Sequence, residues 1–297
     1  MDWPKAKTIL IIGFLLVDLY LAWLLYDGTR VNVVTKLGPE DVQELATLCS
    51  HYGFELVGEP VPLEVGRAAS LTLAEPANQA AAAETAANTW LQAGWTVTRP
   101  ASGGFLYQQG AQSLKVVPDR YHLELTLDLS VGESRGALGA PADSTRLARE
   151  FLTAHLGQKE ALLYQAGLVT SDQGNGMTTI ELNRLQQGLP SFMDYYRIRV
   201  RGNQVVGLQA RQSYASDVSG KKQQLVASDR PLTRYLAQAG RQTEDSQILD
   251  LRLGFGLLPG DDQTLQPVWR LITSAEEQGQ AEVFLPAGVR YWGGGSR

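Results

Sequence analysis

The alternation of hydrophobic and polar positions divides this chain into one long apolar run near its start and a series of shorter periodic segments. From Thr8 to Tyr26 about nineteen residues carry a single charge, that of Asp18. At 1.5 Å per residue, a helix of this length approximately matches the 30 Å hydrocarbon core of a membrane. The pattern therefore predicts a transmembrane helix over residues 8–26.

The charges on the two sides of this run predict its orientation. Lys5 and Lys7 precede it, and Asp27 follows it. By the positive-inside rule, residues 1–7 form a cytoplasmic tail and the bulk of the chain lies outside, as in a single-pass protein of the cell membrane. A cleaved signal peptide is the alternative, but the run is longer than a usual signal-peptide core and no A-x-A-like site follows it before Arg30.

Asp18 is the unusual residue of this run. A carboxylate at the centre of a bilayer costs about 3 kcal/mol on insertion scales, so such residues usually face another helix. The sequence therefore predicts a contact stripe for partner transmembrane helices, which consists of Ile11, Phe14, Leu15, Asp18, Leu21, Ala22 and Leu25. The alternative is a protonated Asp18 that is tolerated in a simple anchor.

Beyond a juxtamembrane linker over residues 27–37, the chain repeats one plan of an amphipathic helix followed by several strands. The helices are predicted to begin near Pro39, at Asn78, at Asp143 or Ser144, and at Asp229. The strands alternate apolar and polar residues, and Gly202-Asn203 predicts a two-residue hairpin turn between two of them. Connections this short cannot form parallel crossovers, so the strands should form antiparallel sheets.

These elements predict an α+β fold with two extracytoplasmic lobes. Each lobe is expected to consist of an antiparallel sheet packed by helices, because helices and consecutive strands segregate in this way in α+β proteins. The segment ESRGALGAPAD, residues 133–143, is the most loop-like stretch between strongly patterned regions. The predicted lobes are therefore residues 38–139 and residues 140–297.

Composition and charge exclude some classes of partner. The formal net charge is -5 and the calculated pI is about 5.3. A mildly acidic chain has no general attraction to a phosphate backbone, so nucleic acid is not expected as a partner. Cys49 is the single cysteine, which rules out an intramolecular disulfide.

Residues with catalytic or metal-binding potential are few and scattered. His51, His122 and His155 lie far apart in the sequence, and only His51 is near the cysteine. Isolated side chains of this kind do not supply the ligand set of a metal site. Ser219 to Lys222 match the S-x-x-K pattern of penicillin-binding enzymes, but the stretch is polar and neither S-x-N nor K-T-G follows. We therefore expect no catalytic residue, no metal site and no cofactor.

The opening sequence MDWPKAKTILIIGFLLVDLYLAW resembles the start of YycI (WalI) proteins, which begin with M-D-W, a basic pair and an apolar helix interrupted by one polar residue. The match is sharpest over the first 26 residues. The resemblance implies a single-pass membrane protein of low-GC Gram-positive bacteria with an extracytoplasmic domain. It further implies two partners, a sensor histidine kinase of WalK type and a YycH-type companion protein.

The expected function is therefore that of a non-enzymatic, membrane-anchored regulator in a WalK/WalR (YycG/YycF) two-component system for cell-wall homeostasis. It would modulate the kinase through transmembrane and ectodomain contacts. The alternative is a membrane-tethered envelope enzyme or a cell-wall ligand-binding protein, which a deep cleft lined with convergent polar groups would favour.

Overall fold

The computed structural model describes residues 14–21, 39–57, 66–91, 93–101, 103–129, 141–172, 174–214, 216–239, 246–275 and 279–288. Strands hold 52% and helices 27% of the chain so described. The protein is thus mainly a β-sheet protein, and the expected balance of an α+β fold is wrong. The predicted tail over residues 1–7 and linker over residues 27–37 lie outside these ranges.

The helices begin at residues that favour helix starts. Besides the helical residues 14–21, the described chain contains α1 (Pro39–His51), α2 (Gln79–Trp90), α3 (Pro141–Leu156), α4 (Gln158–Ala161) and α5 (Asp229–Ala239). Asn78 caps α2, because its side chain accepts hydrogen bonds from the backbone N–H groups of Ala80 and Ala81 at 3.0 and 3.2 Å. Asparagine is among the preferred residues at this position, and the predicted cap is confirmed.

Fourteen strands lie within the described ranges. They are β1 (Phe54–Leu56), β2 (Arg67–Leu73), β3 (Thr96–Thr98), β4 (Phe105–Gln109), β5 (Gln112–Pro118), β6 (His122–Asp128), β7 (Tyr164–Asp172), β8 (Met177–Gln186), β9 (Leu189–Arg201), β10 (Gln204–Ser213), β11 (Ser216–Gln224), β12 (Ser246–Leu257), β13 (Thr264–Ala275) and β14 (Gly279–Pro286). The two-residue turn at Gly202-Asn203 joins β9 to β10, as predicted.

All fourteen strands belong to one hydrogen-bonded sheet, and this finding contradicts the expectation of two separate sheets. The main order is β11-β2-β13-β12-β9-β10-β6-β5-β4-β3, with β1 and β14 beside β12 and β13, and with β7 and β8 attached to β9. Two pairings are parallel, β1 with β12 and β9 with β12. The expectation failed because short connections restrict only consecutive strands, whereas these partners are far apart in the chain.

Two hydrophobic cores lie along this one sheet. The first packs α2 and α3 against β4 to β10 and includes Trp90, Leu152 and Tyr196. The second packs α1 and α5 against the region of β2, β12 and β13 and includes Cys49 and Trp269. Burial of these apolar side chains at both ends is the main stabilising contribution to the fold. The predicted boundary between residues 139 and 140 lies outside the described ranges and stays a prediction.

The predicted membrane span is not supported. Of residues 8–26, the structure describes residues 14–21, which are helical and exposed. Among the described residues no helix is both long enough and apolar enough to cross a membrane. This finding contradicts the predicted transmembrane helix and the single-pass membrane localisation that was inferred from it.

Candidate functional site

The predicted contact stripe is only partly described. Phe14, Leu15, Asp18 and Leu21 lie on the exposed helical residues 14–21. Ile11, Ala22 and Leu25 lie outside the described residues. The four described residues are all solvent-exposed, so the structure does not bury them in either hydrophobic core. Their role in binding a partner stays a prediction.

The histidines and the cysteine are dispersed in the structure as they are in the sequence. His51 is exposed at the end of α1, whereas His122 is buried in β6 and has a pKa lowered to about 4, mainly by burial and also by the charge of Arg211. His155 stacks on Trp90 with ring centroids 5.0 Å apart and contacts the backbone oxygen of Phe151 through Nδ1 at 2.9 Å. Each of the three therefore has its own packing environment.

Cys49 should be unreactive in the native protein. Its side chain is fully buried in the second core, and this burial raises the pKa of the thiol to about 11. Because the thiolate is the reactive form, we expect no reaction with a disulfide reagent at about pH 8 until the protein unfolds. The measurement is the release of chromophore with and without denaturant. Rapid release from the native protein would show that α1 opens readily.

The most distinctive surface of the molecule is a row of cations on β9. Along this strand Tyr196, Ile198 and Val200 point into the first core and are almost fully buried. Successive side chains of a strand point to opposite faces, so Arg197, Arg199 and Arg201 share the other face. We call these three residues the arginine row. At a rise of 3.4 Å per residue, their Cα atoms follow one another at about 7 Å.

Arg197 is the anchored end of the arginine row. Its Nε lies 2.9 Å from Oε2 of Glu181 on the neighbouring strand β8. Its guanidinium also stacks over the ring of Tyr195, 4.4 Å from the ring centroid. Burial lowers the pKa of Arg197, but Glu181 outweighs it, so the net pKa is raised and the charge is permanent. This arginine is therefore held in one position.

Arg199 and Arg201 lack such partners within the described ranges. Among the residues that the structure describes, no carboxylate lies within ion-pair distance of either guanidinium. The Nε atoms of both side chains are buried and have no hydrogen-bond acceptor within this part of the chain. The guanidinium of Arg199 lies beside Gly207 of β10, where a Cβ atom would come within 2.7 Å of Nη2. The glycine thus leaves room for this side chain.

A cleft of about 300 Å³ adjoins the arginine row between β7 to β9 and β13 to β14. Its lining includes Glu181 and Arg197 on one side and Ile272 and Glu282 on the other. Burial raises the pKa of Glu282, and the attraction of Arg270 only partly offsets this effect. The cleft therefore lies beside the ion pair of Arg197 and Glu181, and Arg199 and Arg201 follow along β9.

A buried ion-pair network fixes the strands behind this cleft. Arg270 of β13 is 1% exposed and pairs with Glu181 of β8 through Nη1 and with Asp250 of β12 through Nη2, the latter at 2.8 Å. Burial alone would raise the pKa of Glu181, but Arg270 and Arg197 outweigh it and lower the pKa below its ordinary value. Glu181 therefore remains ionised, and it connects the arginine row to β13.

The arrangement is suited to binding anions rather than to acid–base catalysis. Guanidinium groups are always charged and donate hydrogen bonds in a planar fork that matches a carboxylate. A carboxylate with the same repeat of about 7 Å occurs at every second residue of an extended strand. Neither Arg199 nor Arg201 was singled out from the sequence. The alternation R-I-R-V-R in residues 197–201 is the signal that indicates a basic strand face.

Comparison with known proteins finds no matching family and a distant structural similarity. No protein-family model matches the chain, and no curated protein sequence matches it. One similar solved structure is that of an uncharacterized protein from Eubacterium rectale, with 9% identity and a TM-score of 0.43. The alignment covers 78% of this chain and 86% of that chain.

Proposed function

We propose that this protein is a non-enzymatic regulator that binds other proteins through the face that carries the arginine row. The resemblance of its first residues to YycI supports a sensor kinase of WalK type and a YycH-type companion as the partners. The proposed contact is between the arginine row and an acidic extended segment of the companion. The regulator would act by holding the companion and the kinase in one complex.

One observation carries this proposal, namely the half-buried guanidinium groups of Arg199 and Arg201, which have no ion-pair partner among the described residues and lie on the face of β9 that points away from the first core. Arginine is enriched at protein interfaces and in the residues that contribute most to binding. A hydrogen bond to a charged group contributes about 1.5 to 3 kcal/mol. The neighbouring Arg197 is already positioned by Glu181, so one member of the row is held in place before a partner binds.

Binding alone does not make a regulator. A protein shifts the equilibrium of a kinase only if it binds two states of the kinase, or of the kinase–companion complex, with different affinities. The proposal therefore requires that the complex formed through the arginine row stabilise one signalling state. The sign of the regulation follows from which state is bound more tightly.

The test is a charge reversal at the two unpaired positions. We expect the double variant Arg199→Glu, Arg201→Glu to bind the YycH-type companion at least tenfold more weakly, because two attractive contacts become repulsive. The matched control is Lys221→Glu, Lys222→Glu, which makes the same change of charge on β11 at the far edge of the sheet. Calorimetric titration at two salt concentrations measures the affinity of the arginine variant and of the lysine control for the companion.

The proposal predicts how the original protein and the variant differ. The original protein should bind the companion more weakly at higher salt, and it should change the autophosphorylation of the kinase when the companion is present. The Arg199→Glu, Arg201→Glu variant should lose the salt-dependent binding and the effect on autophosphorylation, while it unfolds as cooperatively as the original. Equal losses in the Lys221→Glu, Lys222→Glu control, or unchanged binding by the arginine variant, would contradict a role for the arginine row.

A further inference from the structure

A second cleft lies on the opposite face of β9, between α2, α4 and the strands β8 to β10. Its volume is about 320 Å³, within the range of small-molecule sites. Its walls include the aromatic side chains Trp90, Tyr164, Tyr196 and Tyr214, and Asp194 lies among them. We call this site the tyrosine cleft. None of the residues that line it belongs to the arginine row.

Asp194 is the main charged group in the tyrosine cleft. The residue is 2% exposed. The backbone N–H of Ser213 donates a hydrogen bond to Oδ1, and the hydroxyl of Ser191 donates one to Oδ2 at 3.2 Å. No cationic side chain in the described ranges forms an ion pair with it. A buried carboxylate normally has a cation beside it, because desolvation of an isolated charge is costly.

The other charges at the cleft cancel one another. Arg184 and Glu160 both line it and form an ion pair, with Nη2 and Oε1 3.2 Å apart. Both side chains are partly exposed, so this pair lies at the rim. The cleft as a whole therefore has the charge of one carboxylate. A bound ligand neutralises the net charge of the cleft only if it places one positive charge beside Asp194.

The tyrosine hydroxyls of the cleft are neutral hydrogen-bonding groups. Gln212 donates a hydrogen bond to the hydroxyl of Tyr196, and the rings of Tyr164 and Tyr196 lie 5.0 Å apart between centroids. Burial raises the pKa of Tyr164 to about 12 and also raises that of Tyr196, so both remain neutral at physiological pH. Neutral phenols donate and accept hydrogen bonds but do not act as bases.

Two hydroxyl groups of the cleft find no hydrogen-bond partner in the described part of the chain. The hydroxyls of Ser213 and Tyr214 are buried and have no hydrogen-bond partner among the residues that the structure describes. Both residues line the tyrosine cleft. A buried hydroxyl without a partner costs about 1 to 3 kcal/mol, and a bound ligand with polar atoms would remove this cost. The site thus combines one uncompensated anion with two unused hydroxyls.

We propose that the tyrosine cleft binds a small primary amine, whose ammonium group pairs with Asp194 and donates to the hydroxyl of Tyr214. The aromatic walls favour the same ligand, because cations are attracted to the faces of tryptophan and tyrosine rings. The Trp90 and Tyr196 rings lie 5.4 Å apart between centroids and form one side of the cleft. An uncharged polyol of equal size would use the hydroxyls and leave the carboxylate uncompensated.

The experiment compares n-butylamine with 1-butanol, which has the same carbon chain but a hydroxyl in place of the ammonium group. We expect butylamine to raise the melting temperature of the full chain and to give a saturable calorimetric titration at constant ionic strength. The alcohol should do neither. Asp194→Asn should weaken butylamine binding at least tenfold, and Tyr214→Phe should weaken it several-fold.

The control variant is Tyr195→Phe, which removes the hydroxyl of the adjacent tyrosine on the other face of β9. It should bind butylamine as the original does. If Asp194→Asn fails to fold, Tyr214→Phe still tests the site, since its hydroxyl has no hydrogen-bond partner to lose among the residues that the structure describes. Equal responses to the amine and the alcohol, no response to butylamine at 10 mM, or equal losses in Tyr195→Phe would overturn the proposal. The Arg199→Glu, Arg201→Glu variant should bind butylamine normally, which separates this outcome from that of the regulatory proposal.

Discussion

Replacing Arg270 by methionine is expected to lower the free energy of unfolding by about 3 to 5 kcal/mol. Arg270 is almost fully buried and is the shared partner of Glu181 and Asp250, which are both 4% exposed. Methionine fills much of the same volume but leaves these carboxylates without their common cation. It also removes the contact of the guanidinium with the Phe192 ring, whose centroid is 4.3 Å away. Urea unfolding at pH 7 measures the loss.

Arg252→Met provides the matched control. Arg252 pairs with the same carboxylate of Asp250, at 2.7 Å, but its side chain is 36% exposed. An ion pair that remains accessible to water contributes little, so we expect a loss of less than about 1 kcal/mol. Similar losses in the two variants would show that burial of Arg270 has no special role.

The same pair of variants gives a pH dependence whose sign follows from Glu181. In the native protein its pKa is lowered, so its contribution to stability is present above its ordinary pKa and is lost as the pH falls through the lowered value. In Arg270→Met, burial would favour the protonated carboxyl. The difference in stability between the original and Arg270→Met should therefore be larger at pH 7 than at pH 4. A difference that grows on acidification would contradict this account.

The sequence permitted correct predictions for elements whose causes are local. The cap at Asn78 and the turn at Gly202-Asn203 depend on residues within four positions of one another, so the relevant contacts are present in the sequence pattern. The expected arrangement of these elements in two antiparallel sheets was wrong. Phe54 pairs with Ser246 in a parallel register, although the two residues are 192 positions apart in the chain. No local pattern specifies such a pairing.

The same limit applies to the charged sites. Arg270 stands in the apolar strand P-V-W-R-L-I, and an arginine in such a strand indicates a buried ion pair. Its partners Glu181 and Asp250 are 89 and 20 residues away, so spacing could not identify them. Asp194 and Tyr214 likewise come together only in the fold. The apolar run of residues 8–26 shows the opposite error, because a strong local pattern led to a membrane assignment that the structure contradicts.

Gly254 has a steric role that its sequence context did not reveal. The segment Gly254-Phe255-Gly256 is part of β12, at the point where β9 runs beside it with Phe255 opposite Ser191. A Cβ atom at Gly254 would meet the carbonyl oxygen of Pro190 and would come within 2.5 Å of the Phe192 ring. The absence of a side chain therefore permits the contact of β9 with β12 on which the single sheet depends.

We expect Gly254→Ala to lower the free energy of unfolding by about 3 kcal/mol, because the colliding oxygen belongs to the backbone and cannot rotate away. The Phe192 ring is also constrained, since it lies against Phe284 with centroids 6.0 Å apart and against the guanidinium of Arg270. Gly256→Ala is the matched control. Its Cβ would meet only side-chain atoms, of Val268 at 2.9 Å and of Phe284 at 3.3 Å, so a loss of about 1 kcal/mol is expected.

The double variant Gly254→Ala, Arg270→Met tests whether the two sites are coupled through Phe192. A ring that is displaced by the new methyl group no longer contacts the guanidinium, so part of the Arg270 contribution is already lost in Gly254→Ala. Residues that share a partner in this way deviate from additivity by about 0.5 to 3 kcal/mol. We therefore expect the double variant to lose less stability in urea than the sum of the two single variants. Full additivity would mean that the contact between β9 and β12 and the buried ion pairs stabilise the sheet independently.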